Sequence, residues 1–169
     1  MKKFHLSVYL IMLMLSAGCI SYFSERNAPL EFDKIYVAPI KNDSFAPQAQ
    51  ELLTKQIRKK LATHPGLEVV SSPENAGILE ITIVDFGQST ATTSDNDTIR
   101  AKSFDVRMAV VCTLSNSETG KVYFTDFSIV EAVECHVLNN DFQASQYQAI
   151  PKLTSKLADR IYDFIYNLW

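Results

Sequence analysis

The stretch of sequence that decides the fold is Phe104-Asp105-Val106-Arg107-Met108-Ala109-Val110-Val111-Cys112-Thr113-Leu114. Its even-numbered positions are all apolar, whereas polar and small residues occupy most of the odd-numbered positions between them. Successive residues of a β-strand point to opposite faces of the sheet, so this alternation predicts a strand with a single buried face. Cys112 belongs to the buried set.

Further strands are predicted on both sides of this segment. The polar turn 115–120 indicates a hairpin that leads into a strand at 121–132. Runs rich in β-branched and aromatic residues predict three earlier strands, at 35–40, 67–70 and 77–86. Pro39 is expected at a strand end or edge, since proline cannot donate a ladder hydrogen bond.

Two helices complete the pattern. Leu53, Ile57 and Leu61 recur at helical spacing, and the residues 64–66 (His-Pro-Gly) are expected to end that helix. A second helix is predicted near the C-terminus, and it either begins or kinks near Pro151. Its apolar stripe consists of Tyr147, Ile150, Leu153, Leu157, Ile161, Phe164 and Leu168.

The order β-α-β-β-β-β-α predicts an α+β fold, a single mixed β-sheet with two helices packed on one face. The other face is then left without a helix to cover it. Residues 34–169 are expected to form this single α+β domain, preceded by a polar tether at 19–33.

The first residues of the chain are typical of an export signal. Lys2 and Lys3 precede a short apolar run, and small residues precede Cys19. We therefore expect 1–18 to be a signal peptide. A membrane-spanning anchor is the alternative, but a span needs ~20 apolar residues and this run is shorter.

Cys19 follows Leu-Ser-Ala-Gly, which resembles a bacterial lipobox, although Ser16 stands where that motif usually has leucine. The hypothesis is lipidation of Cys19 and an anchored tether at 19–33; the alternative is an ordinary signal peptide with a free cysteine. By resemblance to enteric sorting, Ile20 in place of aspartate implies transport to the outer membrane, on its periplasmic side.

Charge and composition exclude some classes of function. The 16 basic and 19 acidic residues give a net charge of −3, and removal of Lys2 and Lys3 with the signal would change it to −5. Nucleic-acid binders tend to be basic, so no nucleic-acid partner is expected. Neither a nucleophile motif nor a glycine-rich phosphate loop occurs, so we expect no enzyme, no catalytic residues and no cofactor.

The remaining cysteines are not expected to form a disulfide. If the hairpin pairs about its turn, Cys112 lies opposite about Phe124, and Cys135 lies much further along the strand. A disulfide requires Cα atoms within ~7 Å. Cys135-His136 is a weak candidate for a metal pair because zinc sites need more ligands, so no metal is expected.

The mature chain resembles the outer-membrane lipopolysaccharide-assembly lipoprotein family (LptE-type). Ala76-Gly77 stands where that family commonly has Ala-Asp. The segments that carry the resemblance, besides Cys19, are Ile35-Tyr36-Val37-Ala38-Pro39-Ile40-Lys41-Asn42, Leu53-Thr54-Lys55-Gln56-Ile57-Arg58-Lys59-Lys60-Leu61, Leu67-Glu68-Val69-Val70, Leu79-Glu80-Ile81-Thr82-Ile83 and Glu118-Thr119-Gly120-Lys121-Val122.

The resemblance implies a protein that plugs an outer-membrane β-barrel protein of lipopolysaccharide export, and that contacts lipopolysaccharide through basic side chains. The candidates for the lipid phosphates are Arg100, Lys102, Arg107 and Lys121. The polar loop 87–99 and the 115–121 hairpin tip are the expected barrel contacts, with Thr93, Asp97 and Ser117 as the residues to test. The alternative is an outer-membrane lipoprotein that activates a peptidoglycan synthase or takes part in a secretion pore. An unrelated periplasmic hydrolase is a third possibility.

Overall fold

The computed structural model describes residues 30–89, 103–136 and 142–168, and Glu31–Asn167 form one compact unit. Its strands are β1 (Lys34–Val37), β2 (Lys41–Asn42), β3 (Glu68–Val70), β4 (Gly77–Ser89), β5 (Ser103–Asn116) and β6 (Val122–His136). Its helices are α1 (Ala49–Leu61), α2 (Phe142–Gln148) and α3 (Ile150–Tyr166).

One mixed sheet organises the unit. Its main strand order is β3-β1-β4-β5-β6, and β2 pairs with β4 beyond the end of β1. The pairs among β3, β1 and β4 are parallel, and the pairs from β4 to β6 are antiparallel. The predicted α+β fold with a single mixed sheet is therefore confirmed.

The first predicted strand is wrong in one respect, because 35–40 does not form a continuous strand. The strand ends at Val37 and resumes at Lys41, so Pro39 lies in the break between β1 and β2. Proline lacks the N–H that a central strand needs for its ladder, which explains the interruption. The chain nevertheless stays beside β4, since the Ala38 N–H donates to the Leu79 carbonyl at 3.0 Å.

Two other predicted strands are longer than expected. The predicted strand 77–86 extends to Ser89, and the predicted strand 121–132 extends to His136. Consequently the predicted polar loop 87–99 begins inside β4, because Gly87 and Gln88 pair with β5. Residues 90–99 lie outside the described part of the chain.

The C-terminal helical region bends where proline occurs. Helix α2 is separated from α3 by Ala149, and Pro151 occupies the first turn of α3. Proline suits that position, since its missing N–H has no intrahelical partner there. The structure thus combines the two predicted alternatives: the longer helix begins at Ile150, and the whole region bends there.

The core lies between the helices and one face of the sheet. The apolar stripe of α1 (Leu53, Ile57 and Leu61) is fully buried, as are Leu153 and Leu157 of α3. The even-numbered residues of β5 from Phe104 to Leu114 are also buried, as their alternation predicts. We call the opposite side of the sheet the open face.

Several segments meet at one end of the sheet, which we call the hairpin end. The turn after β5, the start of β4 and the start of β1 are neighbours, since Gly77 pairs with Asn116 and with Ile35. The residues that precede β1 also contact this end, through a hydrogen bond from the Glu31 N–H to the Tyr123 hydroxyl at 3.1 Å.

Candidate functional site

The open face carries mainly acidic charge. Among the described residues, six carboxylates (Glu68, Glu80, Asp85, Asp105, Asp126 and Glu134) and three cations (Lys34, Lys41 and Arg107) lie on it. Between these charges the sheet presents small or short apolar side chains, such as Ala109, Val111 and Val130. The described part of the face is therefore net negative.

A β-bulge shapes the middle of this face. Cys112 pairs with Phe127 and Leu114 pairs with Phe124, so Thr125 and Asp126 together oppose Thr113. A bulge of this kind redirects side chains locally. Asp126 has φ of 50°, a left-handed conformation that aspartate tolerates better than most residues. Its N–H donates to the Thr113 hydroxyl at 3.3 Å.

The bulge and the break at Pro39 border a hollow of about 560 Å³ on the open face. Glu80 and Asp126 both line it, on either side of Thr113, which is the cross-strand partner of Glu80. Lys41 also lines the hollow. Within the described residues neither carboxylate makes an ion pair, so the hollow keeps an excess of negative charge.

The helix layer carries the opposite charge. Helices α1 and α3 together contain seven basic residues (Lys55, Arg58, Lys59, Lys60, Lys152, Lys156 and Arg160) and three acidic ones (Glu51, Asp159 and Asp163). Lys60 pairs with Asp159, and this hydrogen-bonded contact raises the pKa of Lys60 above its ordinary value. Lys156 and Arg160 both reach Glu131 of β6, at 3.7 and 3.4 Å.

The hairpin tip is a rigid turn attached to the start of β4. The Asn116 side-chain oxygen accepts hydrogen bonds from the N–H groups of Glu118 and Thr119, at 2.8 and 3.2 Å. The candidate barrel contact Ser117 accepts a hydrogen bond from the Ala76 N–H at its hydroxyl, at 3.0 Å. Ser117 is exposed, but its hydroxyl already takes part in this hydrogen bond within the fold. Glu118, the next residue of this tip, is also exposed.

The candidate lipid contact Lys121 is already paired with the segment that precedes β1. Its Nζ lies 3.0 Å from a Glu31 carboxylate oxygen and 5.3 Å from the centre of the Tyr123 ring. Next to Glu31, the Phe32 ring meets Tyr123 edge-on, with 5.5 Å between ring centres. These contacts fasten the end of the tether to the hairpin end of the sheet.

The candidate lipid contact Arg107 also has a carboxylate partner. Its Nε lies 3.1 Å from Asp85 on the open face. Lys121 lies next to Asn116, since the Asn116 N–H donates a hydrogen bond to the Lys121 carbonyl. At a strand rise of ~3.3 Å per residue, Asn116 is in turn roughly 30 Å from Arg107 along β5. The structure therefore does not bring Arg107 and Lys121 together into one anion site.

The other residues singled out from the sequence lie outside the described part of the chain. These residues are Cys19, Thr93, Asp97, Arg100 and Lys102.

The two described cysteines do not form a disulfide, as predicted. Cys112 is buried and Cys135 is partly exposed, and both are free. The predicted register is wrong, however, since the bulge places Phe127 and not Phe124 opposite Cys112. Burial raises the pKa of the Cys112 thiol to about 12, and it raises the pKa of Cys135 to a lesser degree.

Two further features bear on the kind of site. Among the described residues no three histidine, cysteine or carboxylate side chains are grouped as metal ligands would be. In the same part of the chain, every helix is too short or too polar to cross a bilayer.

The comparison with known families decides what kind of protein this is. The model of the lipopolysaccharide-assembly family, LptE, matches residues 32–165, which include every strand and most of the helix layer described above. The chain belongs to this family. No curated protein sequence matches it.

Solved structures with the same fold support the architecture. A putative lipoprotein from Caulobacter crescentus matches with a TM-score of 0.50 at 16% identity, over 75% of this LptE-family chain and 87% of that one. A putative neuraminyllactose-binding hemagglutinin homolog from Helicobacter pylori matches with a TM-score of 0.57 at 10% identity, over 82% and 85% of the two chains. At such identities the likeness concerns the fold alone.

The acidic hollow of this LptE-family chain is not evident from its amino-acid sequence. Glu80 and Asp126 are far apart in the sequence, and only the β4–β5–β6 register brings them to the same hollow. A partial signal was present, because polar Thr125-Asp126 interrupts the aromatic run of the predicted fifth strand. Such an interruption inside a strand is compatible with a bulge.

Proposed function

We propose that this LptE-family protein is a lipid-anchored outer-membrane component, on the periplasmic side, that plugs a β-barrel partner and assists it in lipopolysaccharide assembly. The observation that carries the proposal is the family match over residues 32–165. We also propose that the protein acts by binding and is not an enzyme.

Two features of the fold support a role as a plug. Both helical segments cover the same side of the sheet, so the open face is available to a partner. The hairpin tip is held by hydrogen bonds that the side chains of Asn116 and Ser117 accept from backbone N–H groups, so little conformational freedom is lost when it meets another surface. A barrel lumen is lined by polar side chains, which suits an exposed polar tip.

The lipid anchor is the second element of the proposal. Acylation of Cys19 would attach the domain to the membrane, since each buried methylene contributes ~0.8 kcal/mol of membrane affinity. Residue 31 lies on the hairpin end of the sheet. Between Cys19 and Glu31 an extended chain reaches at most ~40 Å, which keeps the hairpin end within that distance of the membrane surface.

The contact with lipopolysaccharide involves competition with existing ion pairs. Arg107 and Lys121 each have a carboxylate partner, so a phosphate must replace Asp85 or Glu31 at these side chains. Exposed pairs contribute only ~0–1 kcal/mol, so the exchange costs little. Arg100 and Lys102 remain candidates for the same role.

Site-specific photo-crosslinking in cells tests the proposal. A photoreactive residue at Glu118, on the exposed tip, should capture an outer-membrane β-barrel protein that mass spectrometry can identify. The matched position is Glu51, an exposed acidic residue in the first turn of α1. Depletion of the protein should lower the amount of folded barrel and make the outer membrane permeable to large apolar drugs.

A different result would point to the alternative function. Capture of a peptidoglycan synthase from Glu118, with lipopolysaccharide export unaffected by depletion, would contradict the barrel role.

A further inference from the structure

The two layers of the molecule carry charge of opposite sign. In the described part of the chain, six carboxylates and three cations lie on the open face, whereas α1 and α3 carry seven cations and three carboxylates. The difference in charge coincides with the difference in covering, because the described helices all pack on the other side of the sheet and leave the acidic side open. A surface that binds the open face should therefore be cationic.

We propose that the open face is the surface that docks on the barrel partner, and that an arginine or lysine side chain of the barrel wall enters the hollow between Glu80 and Asp126. The proposal rests on the proposed function for the existence of a barrel partner. It adds that the open face is the side of the plug that contacts the barrel, and that the barrel surface in contact with it is cationic.

The hollow has the right chemistry for a cationic side chain. Its carboxylates, Glu80 and Asp126, have no ion-pair partner among the described residues, and Lys41 supplies a single positive charge at its rim. Half-buried Thr82 and Val111 form part of its lining, so an inserted side chain is shielded from water on one side. A guanidinium can donate to two carboxylates at once, and such charge-assisted bonds are stronger than neutral ones.

The surroundings of the hollow suit a broad protein surface. Around the Arg107–Asp85 pair the sheet presents small or short side chains (Ala109, Val111 and Ala132), so a wall of side chains can approach it there. Carboxylates on the rim would orient a cationic wall before contact and raise the rate of association.

The same charges disfavour lipopolysaccharide on this face. Its phosphates would meet an excess of carboxylates, and like charges brought together across an interface cost free energy. Arg107, which lies on the open face, is then not the lipid contact; Lys121 at the hairpin end keeps that role, and the affinity for the lipid should not depend on Glu80 or Asp126.

The first experiment is a competition in cells between two full-length, lipidated chains with different tags. One is wild type and the other carries Glu80→Gln and Asp126→Asn, where asparagine retains tolerance of the left-handed conformation. The matched control carries Glu51→Gln and Asp163→Asn, which remove two acids from the helix layer instead. The barrel is purified, and the ratio of the two tags bound to it is corrected for their levels in the cell.

We expect the open-face variant to be about tenfold under-represented on the barrel, which corresponds to ~1.4 kcal/mol. The control should compete equally with wild type. A third variant, Glu80→Lys, should be excluded more strongly than the neutralised one, because it places a cation against a cation. Equal thermal midpoints of the purified variants would show that the fold is intact.

The second experiment places a photoreactive residue at exposed Ser128 of the open face, or at exposed Lys59 of α1. Capture of a barrel peptide from position 128 and not from position 59 supports the proposal. If the open-face variant competes equally, or if the barrel is captured only from position 59, the docking face is wrong although a barrel partner exists. If wild type binds no barrel, the docking face and the proposed function both fail.

Binding to purified lipopolysaccharide tests whether the open face binds the lipid and not the barrel. The Glu80→Gln, Asp126→Asn chain should bind lipopolysaccharide micelles as well as wild type does, or better. A loss of several-fold in this affinity would overturn the assignment of the open face to a protein surface.

Discussion

Replacement of Gly77 by alanine tests how the tether is fastened to the sheet. A Cβ atom at Gly77 would lie 2.4 Å from Cζ of Phe32, and the next two ring carbons would lie at 2.5 and 2.7 Å. These separations are too short for carbon atoms, so the ring must move. Because the backbone of Gly77 has no positive φ, alanine introduces no strain of its own.

The expected change in the free energy of unfolding follows from the contacts that the Phe32 ring loses. The ring is half-buried, so its displacement forfeits about half of the ~1.5–3 kcal/mol that full burial of phenylalanine contributes. Its edge-on contact with Tyr123 contributes a further ~0.5–1.5 kcal/mol. Alanine also stabilises the protein by ~0.4–1 kcal/mol relative to glycine, because it restricts the unfolded chain. We therefore expect Gly77→Ala to lower the free energy of unfolding by about 1–2 kcal/mol.

A double-mutant cycle isolates this contact. In a Phe32→Ala background the obstacle is gone, so Gly77→Ala should instead stabilise the protein by ~0.4–1 kcal/mol. Urea unfolding of the mature chain, followed by circular dichroism, measures both effects, with Cys19→Ala in all variants to keep the chain soluble. If Gly77→Ala costs the same in both backgrounds, Phe32 does not pack on Gly77, and the described attachment of the tether is mistaken.

The other predictions concern the anchor, the thiols, the core and a surface ion pair. Cys19→Ala should release the protein from the membrane fraction, and an equally firm membrane association would contradict the anchor. In the folded protein maleimide should modify Cys135 much faster than buried Cys112, whose raised pKa keeps it protonated at pH 8, and both should react in denaturant. Leu157→Ala should cost ~2–5 kcal/mol in urea unfolding, because it opens a cavity between α3 and the sheet. Arg107→Ala should change stability by less than ~1 kcal/mol, since its ion pair is exposed, and a larger loss would show an additional contact.

Residue periodicity was sufficient to predict most of the fold. The alternation from Phe104 to Leu114 correctly predicted both the strand and its buried face, because the two-residue period of a strand is a local property of the chain. The stripe of Leu53, Ile57 and Leu61 predicted α1 for the same reason. Pro39 and Pro151 marked a break and a bend, since the missing N–H acts locally.

The candidate site was less accessible to sequence reasoning. Arg107 and Lys121 were chosen for their charge, and the sequence could not show that Asp85 and Glu31 already pair with them. Ser117 stays a predicted barrel contact, and the sequence could not show that its hydroxyl accepts a hydrogen bond from the Ala76 N–H. Each of these partners is remote in the sequence, and pairing between remote residues depends on register.

What the sequence determined by itself is therefore most of the strands and helices and the buried sides of β5 and α1. What only the tertiary structure decided is how those elements align. The bulge at Asp126 displaces the β5–β6 pairing, so that Cys112 faces Phe127, and it turns Asp126 toward the hollow that Glu80 also lines. The physical reason is that the period of a strand arises from its own backbone, whereas register and bulges arise from hydrogen bonds between strands.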